Sequence, residues 1–259
     1  MGLFRKLFCP KSVYERRHEI SAFWMHKFNG RIQYGPFKGL QMLEQQSWSS
    51  GDLAPKLFGL YEQEILDHLG RLAHPGRVLI DIGAADGYYA VGALASGLFR
   101  RVIAFEGEAR SRASIAKTAA LNSVSEHIDI QGLADLNWMT QIAPNDLAGA
   151  VVLIDTEGAE FDLLGSAQLH QLRDCCLIIE LHDWMVEDGA AKKRRLLSDL
   201  EATHQTVVVK NAVRDLRGRL ELETKNDDHR WLVCSEGRGR AMEWLVCEPK
   251  RDLEQGSSK

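Results

Sequence analysis

Short apolar runs that alternate with longer helix-like stretches dominate the chain from residue 77 onward. The runs are rich in Val and Ile and nearly free of polar residues, which is typical of strands covered by helices on both faces. This alternation predicts an α/β fold with a doubly wound, mostly parallel sheet. Six runs define its first strands: residues 77–83, 101–107, 127–135, 149–158, 175–183 and 206–212.

The segment MEWLVCEPK, residues 242–250, predicts a seventh strand that Pro249 closes. A hairpin-like return from the sixth strand would make this last strand antiparallel to it. Residues 109–121 and 190–204 have the composition and the spacing of helices between strands. The expected architecture is therefore one continuous seven-stranded sheet.

The first 50 residues differ from the rest, because they are rich in aromatic residues and Gly and show no clear period. A capped helix is predicted to follow from about Asp52 to Leu72. We predict an N-terminal extension at 1–50, the main domain at 51–250 and a polar tail at 251–259.

Composition narrows the class of protein. The 259 residues are 45% hydrophobic and 26% charged, which argues against disordered and fibrous chains. The 32 basic and 36 acidic side chains give a net charge of −4, so no general positive field is available to hold a phosphate backbone. We therefore expect no nucleic acid partner.

No apolar stretch approaches the length needed to cross a bilayer, so no transmembrane segment is expected. The five cysteines lack the spacing of a metal site. Cys175 and Cys176 open an apolar run, where thiols usually act as small buried hydrophobes. A reducing compartment fits these features, and the predicted location is the cytoplasm.

The corner after the first strand, DIGAADG, contains Asp81, Gly83 and Gly87 and precedes a predicted helix. Ligands of open parallel sheets bind beyond the carboxyl ends of the strands. A dinucleotide fingerprint would have a glycine where Ala85 stands, and an acid at the strand end would repel a phosphate. The same acid suits a cationic amino-acid group, so the corner favours S-adenosylmethionine over a pyrophosphate cofactor.

Two further acids extend this prediction. Glu106 ends the second strand, where a carboxylate can accept hydrogen bonds from the hydroxyl groups of a ribose. Asp135 follows the third strand, where it could bind an adenine amino group. The alternative for Asp135 is a local capping role at the next helix.

Acidic residues also follow the fourth and fifth strands. Asp155, Glu157 and Glu160 come after one strand, and Glu180, His182 and Asp183 come at the end of the next. Some of these acids could simply stabilise a helix N-terminus. Two functional hypotheses remain open: His182 is a general base oriented by Asp155 or Glu180, or Asp155, Glu180, His182 and Asp183 hold a cation such as Mg²⁺. For Glu236 and Arg238, in SEGRGR, two hypotheses are open: they face the acceptor, or they lie in a surface turn, which is the favoured prediction.

The motifs DIGAADG, AFEGEARSRASIAKTAALN, LIDTEGAEFDLL and IIELHD resemble those of the class I methyltransferases, and within them the FkbM-type family. The resemblance covers about residues 77–185. It implies a Rossmann-like fold and methyl transfer from S-adenosylmethionine, commonly to a hydroxyl oxygen. Gly107 departs from the family, in which many members have Pro. The resemblance implies a cofactor cleft at Asp81, Gly83, Gly87, Glu106, Ala134 and Asp135, and an acceptor lying over Asp155, Glu157, Glu160, Glu180 and His182.

The leading hypothesis is thus an S-adenosylmethionine-dependent methyltransferase that modifies a hydroxyl on a small molecule or glycan. One alternative is N-methylation of an amine or peptide, because acidic corners also suit a cationic acceptor. Another is a non-catalytic binding module that retains the fold. The identity of the acceptor, any metal requirement and the oligomeric state have no readable signal in the sequence.

Overall fold

The computed structural model describes residues 11–44 and 50–250. The first ten residues and the predicted polar tail at 251–259 lie outside this range. All seven predicted strands are present, and most are shorter than the apolar runs that indicated them. They are β1 (Val78–Ile82), β2 (Arg101–Phe105), β3 (Ile128–Gln131), β4 (Val151–Ile154), β5 (Cys176–Leu181), β6 (His204–Lys210) and β7 (Glu243–Pro249).

The strands form one sheet in the order β3-β2-β1-β4-β5-β7-β6. β1 to β5 pair in parallel, whereas β7 lies antiparallel between β5 and β6. The prediction of a doubly wound, mostly parallel seven-stranded α/β sheet with an antiparallel last strand is therefore confirmed. It is the Rossmann-like architecture that the resemblance to class I methyltransferases implies.

Eleven α-helices connect or flank these strands in the described residues. Short 3₁₀ turns at Ser50–Asp52, Ser125–His127, Trp138–Gln141 and Asp183–Met185 accompany them. The helices are α1 (Val13–Lys27), α2 (Leu53–Leu57), α3 (Gln63–Leu72), α4 (Tyr88–Ala95), α5 (Ala109–Leu121), α6 (Pro144–Leu147), α7 (Glu160–Leu163), α8 (Ser166–Gln171), α9 (Gly189–Leu200), α10 (Leu220–Glu223) and α11 (Asp227–Cys234).

One local prediction was wrong. The single helix expected over residues 52–72 is divided into α2 and α3, because the chain turns at Gly59 with a φ of 59°. A Cβ on Gly59 would lie 2.4 Å from the Tyr34 carbonyl oxygen, so the two backbones meet closely there. The stretch before residue 50, which shows no period in the sequence, contains α1, and a capping box of Ser12 and Glu15 begins this helix.

The sheet buries one hydrophobic layer on each face. One layer contains Leu79, Val151 and Ile178, and the other contains Ile80, Val152 and Ile179, as the alternation of side chains along a strand requires. Trp24 and Phe37, from the first 44 residues, belong to the first layer. These aromatic residues therefore pack onto the sheet, and the domain boundary at residue 50 stays a prediction.

The chain between β6 and β7, residues 211–242, packs against the N-terminal helix α1. The Trp24 indole N–H donates a hydrogen bond of 2.8 Å to Nε2 of His229 in α11. Arg16 forms an ion pair of 3.0 Å with Asp228, and the Tyr34 hydroxyl donates to Glu221 at 2.6 Å. We call residues 211–242 the insertion. These contacts pack the insertion against the N-terminal segment.

Across residues 11–44 and 50–250, no helix is both long and apolar enough to span a membrane. The Cys175 and Cys176 side chains are buried, as the sequence predicts, and Cys247 is buried as well. Cys9 lies outside the described residues.

The contact between Phe37 and α4 offers a direct test of how the N-terminal segment is held. A Cβ on Gly92 would lie 2.5 Å from the Phe37 ring, so we expect Gly92→Ala to lower the free energy of unfolding by about 1–3 kcal/mol. Chemical denaturation measures this loss. The control is Gly70→Ala in α3, where a Cβ would meet nothing within 4 Å. That variant should be unchanged or gain up to about 1 kcal/mol; equal effects at the two sites would contradict the packing.

Candidate active site

The carboxyl ends of β1, β2, β4 and β5 meet at one edge of the sheet. Ile82 is in register with Phe105 and Ile154, and Ile154 is in register with Ile179. The residues that follow these positions therefore lie side by side. This brings together the corners of Gly83, Glu106, Asp155 and Glu180, as the sequence predicts.

The Gly83 corner has no room for a side chain. Gly83 adopts a φ of 89°, and its N–H donates to the Phe105 carbonyl oxygen at 2.9 Å. A Cβ at this position would lie 1.7 Å from the carbonyl oxygen of Asp155. Glycine is required here because the backbone after β1 passes directly against the backbone after β4.

Glu106 fixes the next corner through its carboxylate. One oxygen accepts a hydrogen bond of 2.8 Å from the Ala85 N–H, and the other accepts one of 2.7 Å from the Glu108 N–H. Ala85 has a φ of 46°, unusual for a residue with a side chain. Each carboxylate oxygen keeps a further lone pair, so Glu106 can still accept hydrogen bonds from a ligand.

A cleft of about 390 Å³ opens between these corners. This volume falls in the usual range for a small-molecule site. The cleft is lined by Gly83, Ala85 and Glu106 from the first two corners, by Leu133 and Ala134 after β3, and by Asp155, Thr156 and Glu157 after β4. Ala85, Leu133 and Thr156 were not identified from the sequence, because nothing in their residue type marks them.

Asp81 is the most unusual group near the cleft. Its side chain is buried, and neither carboxylate oxygen has a hydrogen-bond partner among the described residues. Burial, reinforced by the nearby charge of Asp155, raises the pKa of Asp81 to about 8. A buried carboxylate without a partner is costly, and a cation would relieve that cost. Asp81 therefore fits the ammonium group of S-adenosylmethionine.

The two remaining positions of the predicted cofactor cleft have local roles in the structure. Gly87 adopts a φ of 81° and precedes α4. Asp135 is exposed, and its Oδ1 accepts a hydrogen bond of 2.8 Å from the Asn137 N–H. The alternative for Asp135, capping of the next helix, was wrong: Asp135 closes a turn before the 3₁₀ turn Trp138–Gln141, whose N-cap is Asn137. Its role toward an adenine ring stays a prediction.

Four carboxylates surround His182 after β5. The Nε2 atom lies 3.5 Å from Glu157, 3.8 Å from Asp155 and 3.8 Å from Glu180, and the Nδ1 atom lies 3.6 Å from Glu160. The His182 side chain is only 3% exposed. We call these five residues the histidine cluster. It unites the four predicted catalytic residues Asp155, Glu157, Glu180 and His182 with Glu160.

The members of the histidine cluster differ in environment. Glu160 is buried, and its two oxygens accept hydrogen bonds from the backbone N–H groups of Gly158 (2.8 Å) and His182 (2.7 Å). Burial raises the pKa of Glu160, but these bonds and the His182 ring lower it by more, so the net shift is downward. Glu160 therefore holds the loop and the ring in place, whereas Glu157 is exposed at the mouth of the cleft.

Burial and neighbouring charges together shift the pKa of several groups here. Burial raises the pKa of Asp155 and Glu157, and it raises the pKa of Glu180 strongly, with further contributions from the charges of Asp155 and Glu62. Burial alone would lower the pKa of His182. The Glu160 side chain and the charge of Asp155 outweigh burial, so the pKa of His182 lies above its usual value.

One group in the cluster has the geometry to hold a metal ion. One ligand atom from each of Asp155, Glu157 and His182 lies within 4.8 Å of the others. This group differs from the predicted Mg²⁺ set, since Asp183 lies instead 3.8 Å from Lys193. Glu180 is also engaged elsewhere, by Arg238.

Arg238 is the main site residue that sequence reasoning placed wrongly. SEGRGR is not a surface turn, because the side chains of Glu236 and Arg238 are only 6% and 19% exposed. Arg238 pairs with Glu180 at 2.6 Å, with Glu236 at 2.8 Å and with the buried Glu62. Glu62 and Glu180 are far from Arg238 in the sequence, so no spacing rule could have identified the network.

The Arg238 network continues on both sides. Arg214 pairs with Glu64 and Glu236, and the Tyr89 hydroxyl donates to Glu62. Burial, opposed by Arg238, raises the pKa of Glu62 to about 7. The network thus joins the insertion, α3 and α4 to the end of β5.

Comparison with known proteins gives similarities to solved structures alone: no family model matches the chain, and no curated protein matches it. Sp1610 of Streptococcus pneumoniae, in complex with S-adenosyl-L-methionine, is 17% identical over 73% of each chain, with a TM-score of 0.48. An O-methyltransferase from Bacillus cereus in complex with SAH is 12% identical over 95% of this chain and 94% of that one, also with a TM-score of 0.48. The B. subtilis M1A22 tRNA methyltransferase TrmK is 16% identical over 71% of this chain and 64% of its own, with a TM-score of 0.44. Identities this low leave the cofactor and the acceptor to be inferred from the residues of the site.

The buried Asp81 predicts a pH dependence of stability. Because its pKa rises to about 8 on folding, the folded ligand-free protein keeps a proton that the unfolded chain loses near pH 4. Its contribution to stability is therefore full below about pH 4 and is lost as the pH rises to about 8. We expect the stability of Asp81→Asn to fall less with pH than that of wild type. Between about pH 4 and pH 8, the free energy of unfolding of the variant should rise by on the order of 2 kcal/mol relative to that of wild type.

Denaturant titrations at a series of pH values measure this difference. Asp135→Asn is the control, because Asp135 is exposed and an asparagine can accept the same local hydrogen bond. It should leave the pH dependence unchanged. An Asp81→Asn profile parallel to wild type would show that Asp81 is not a strained carboxylate.

Proposed function

We propose that this protein is an S-adenosylmethionine-dependent methyltransferase that methylates a hydroxyl group of a small molecule or glycan. The observation that carries the proposal is the buried Asp81, which has no hydrogen-bond partner among the described residues. It lies at the end of β1 beside a glycine corner, where a nucleotide-type cofactor binds in folds of this kind. A carboxylate there favours a cofactor with a cationic group and disfavours a phosphate. The resemblance to FkbM-type methyltransferases supports the same proposal.

The cleft residues fit the parts of this cofactor by chemical type. Asp81 would bind the ammonium group, and Glu106 would accept hydrogen bonds from the ribose hydroxyls. Leu133 and Leu163 give the cleft an apolar surface suited to an adenine ring, next to Ala134 and Asp135. When bound, S-adenosylmethionine supplies a methyl group activated by its sulfonium sulfur.

His182 is the proposed general base. A hydroxyl is a poor nucleophile, so a group must accept its proton as the new carbon–oxygen bond forms and the carbon–sulfur bond breaks. Nε2 of His182 faces Asp155 and Glu157, whose negative charges stabilise the protonated ring. The proton then passes from the ring to water. Glu160 positions the ring by binding the His182 backbone N–H.

N-methylation is the second candidate function. The four carboxylates of the histidine cluster would attract a cationic amine, which would need to lose a proton before it could attack. A cation held by Asp155, Glu157 and His182 is likewise a second candidate for activating a hydroxyl, because a bound metal ion lowers the pKa of a coordinated oxygen.

Cofactor binding can be measured by calorimetry with S-adenosylmethionine and S-adenosylhomocysteine. We expect both to bind wild type, and Asp81→Ala and Glu106→Ala to weaken both by about tenfold or more, since each variant removes a charge-assisted contact. Asp174→Ala is the matched control, because Asp174 is an exposed acid before β5, outside the cleft. Undiminished affinity in both cleft variants would refute the cofactor assignment.

The role of His182 can be tested through the pH dependence of turnover, followed as S-adenosylhomocysteine release with a panel of hydroxyl acceptors. A base must be neutral, so the rate should rise with pH to a plateau, with its midpoint above the usual histidine value of 6.5. Asp155→Asn should move the midpoint to lower pH, because it removes a charge that raises the pKa of His182. His182→Ala should lower kcat by about 10²–10⁴-fold while cofactor still binds.

Asp162→Asn is the control for the pH profile, because Asp162 is an exposed acid that pairs with Lys192 and lies outside the histidine cluster. Repeating the assay after exhaustive EDTA treatment separates the two mechanisms. Full activity would favour the base, whereas a loss that Mg²⁺ restores would favour a cation at Asp155, Glu157 and His182. Unchanged turnover in His182→Ala would exclude both roles for this residue.

A further inference from the structure

A second cavity, of about 370 Å³, lies beyond the histidine cluster along the same edge of the sheet. It is bounded by the chain after β6 and by the segment before β7. β6 runs parallel to β5, since both are antiparallel to β7, so β6 ends at the same edge as the catalytic corners. Along this edge, the strand order places the cofactor cleft at β2, β1 and β4, the histidine cluster at β4 and β5, and the second cavity at β7 and β6.

This order is compatible with methyl transfer. The acceptor atom must contact the methyl group from the side opposite the leaving sulfur, with the base beside it, so the rest of the acceptor extends away from the cofactor cleft and past the histidine cluster. The second cavity, which we call the recess, has this position. Arg238 forms the wall between the recess and the histidine cluster, because it lines the recess and pairs with Glu180.

Three arginines line the recess, and their partners differ. Arg214 and Arg238 are neutralised by Glu62, Glu64, Glu180 and Glu236. Arg240 forms no ion pair with any residue in the described ranges, and its guanidinium lies 4.5 Å from the centre of the Trp184 ring. Trp184 in turn contacts His182, with ring centroids 5.2 Å apart. The Trp184 ring thus lies between Arg240, the uncompensated charge of the recess, and His182, the proposed base.

The recess also offers a flat apolar surface. Trp231 lines it and is 68% exposed, which is unusual for such a large hydrophobic side chain. A tryptophan face of this kind can stack on the C–H face of a sugar ring or on a planar group. An exposed ring and an unpaired guanidinium that line the same cavity point to a ligand that has both a ring and a negative charge.

The basic and acidic side chains of the insertion nearly cancel, which limits the number of negative charges that a ligand of the recess can carry. Residues 211–241 contain seven basic and six acidic side chains. A nucleic acid strand would need several unpaired cations along its backbone, and the recess offers one. A small acceptor with a single anionic group is therefore favoured over RNA.

We propose that the recess binds the methyl acceptor, and that the acceptor is a sugar bearing one anionic group, either a carboxylate or a phosphate. Arg240 pairs with that group and Trp231 stacks on the sugar ring. The identification as an acceptor site rests on the proposed function, whereas binding of such a sugar in the recess does not. The two can be tested separately.

The experiment measures binding of glucuronate, glucose 6-phosphate and glucose by ligand-detected NMR titration. Wild type should bind both anionic sugars at least about fivefold more tightly than glucose. Arg240→Gln should remove that preference, and Trp231→Ala should weaken binding of all three sugars. Arg217→Gln is the matched control, because Arg217 is an exposed arginine of the same insertion that lies outside the recess and pairs with Asp215.

Calorimetry with S-adenosylhomocysteine on the same variants checks the fold and the proposed function. Its affinity should be the same in wild type, Arg240→Gln and Arg217→Gln. Equal binding of charged and neutral sugars, a preference that survives in Arg240→Gln, or binding of a short single-stranded RNA in place of the sugars would overturn the recess proposal. Sugar binding as expected without S-adenosylhomocysteine binding would instead overturn the proposed function and leave the ligand class standing.

Discussion

The buried guanidinium of Arg238 is the interaction on which the rest of the site depends. It joins three carboxylates: Glu62 at the start of α3, Glu180 in β5 and Glu236 in the insertion. Glu62 and Glu180 are almost fully buried, and a buried charge that loses its partner typically costs about 3–5 kcal/mol. Because Arg238 belongs to the insertion, its ion pair with Glu180 at the end of β5 also fixes the position of the insertion.

Even with Arg238 in place, carboxyl groups at the strand ends outnumber the cationic groups beside them in the described residues. Asp81 has no cation beside it, and the histidine cluster sets four carboxylates around one imidazole. Such an arrangement has a stability cost when no ligand is bound, and it gains most from ligands that carry or develop positive charge. A sulfonium donor and a proton released by the acceptor are both of this type. The acidity of the edge is therefore easier to understand as a property of a binding site than as a means of stabilising the fold.

Sequence periodicity was enough to predict the sheet, because apolar strands and the helices between them follow from local pattern. It also placed the glycine corner and the acids after β4 and β5 at one edge, since parallel strands all end on the same side. It could not identify Arg238 or Glu62, whose side chains are buried only because segments distant in the sequence meet. The division between α2 and α3 was missed for the same reason: Gly59 turns where it does because the Tyr34 backbone passes against it. The shape and the lining of the recess could not be predicted either, because it is formed by loops whose residue types have no fixed pattern.

The contact between Trp24 and His229 has a consequence for any attempt to redirect this protein toward a new acceptor. Grafting residues 211–242 from a homologue would replace the walls of the recess but would leave behind the helix on which they rest. Arg16, Trp24 and Tyr34 would then face unmatched partners, and Glu180 would lose the Arg238 side chain that pairs with it. The N-terminal helix and the insertion are separate in the sequence but act as one interchangeable part. Exchanging both together would be the smallest replacement that keeps the surface for the acceptor intact.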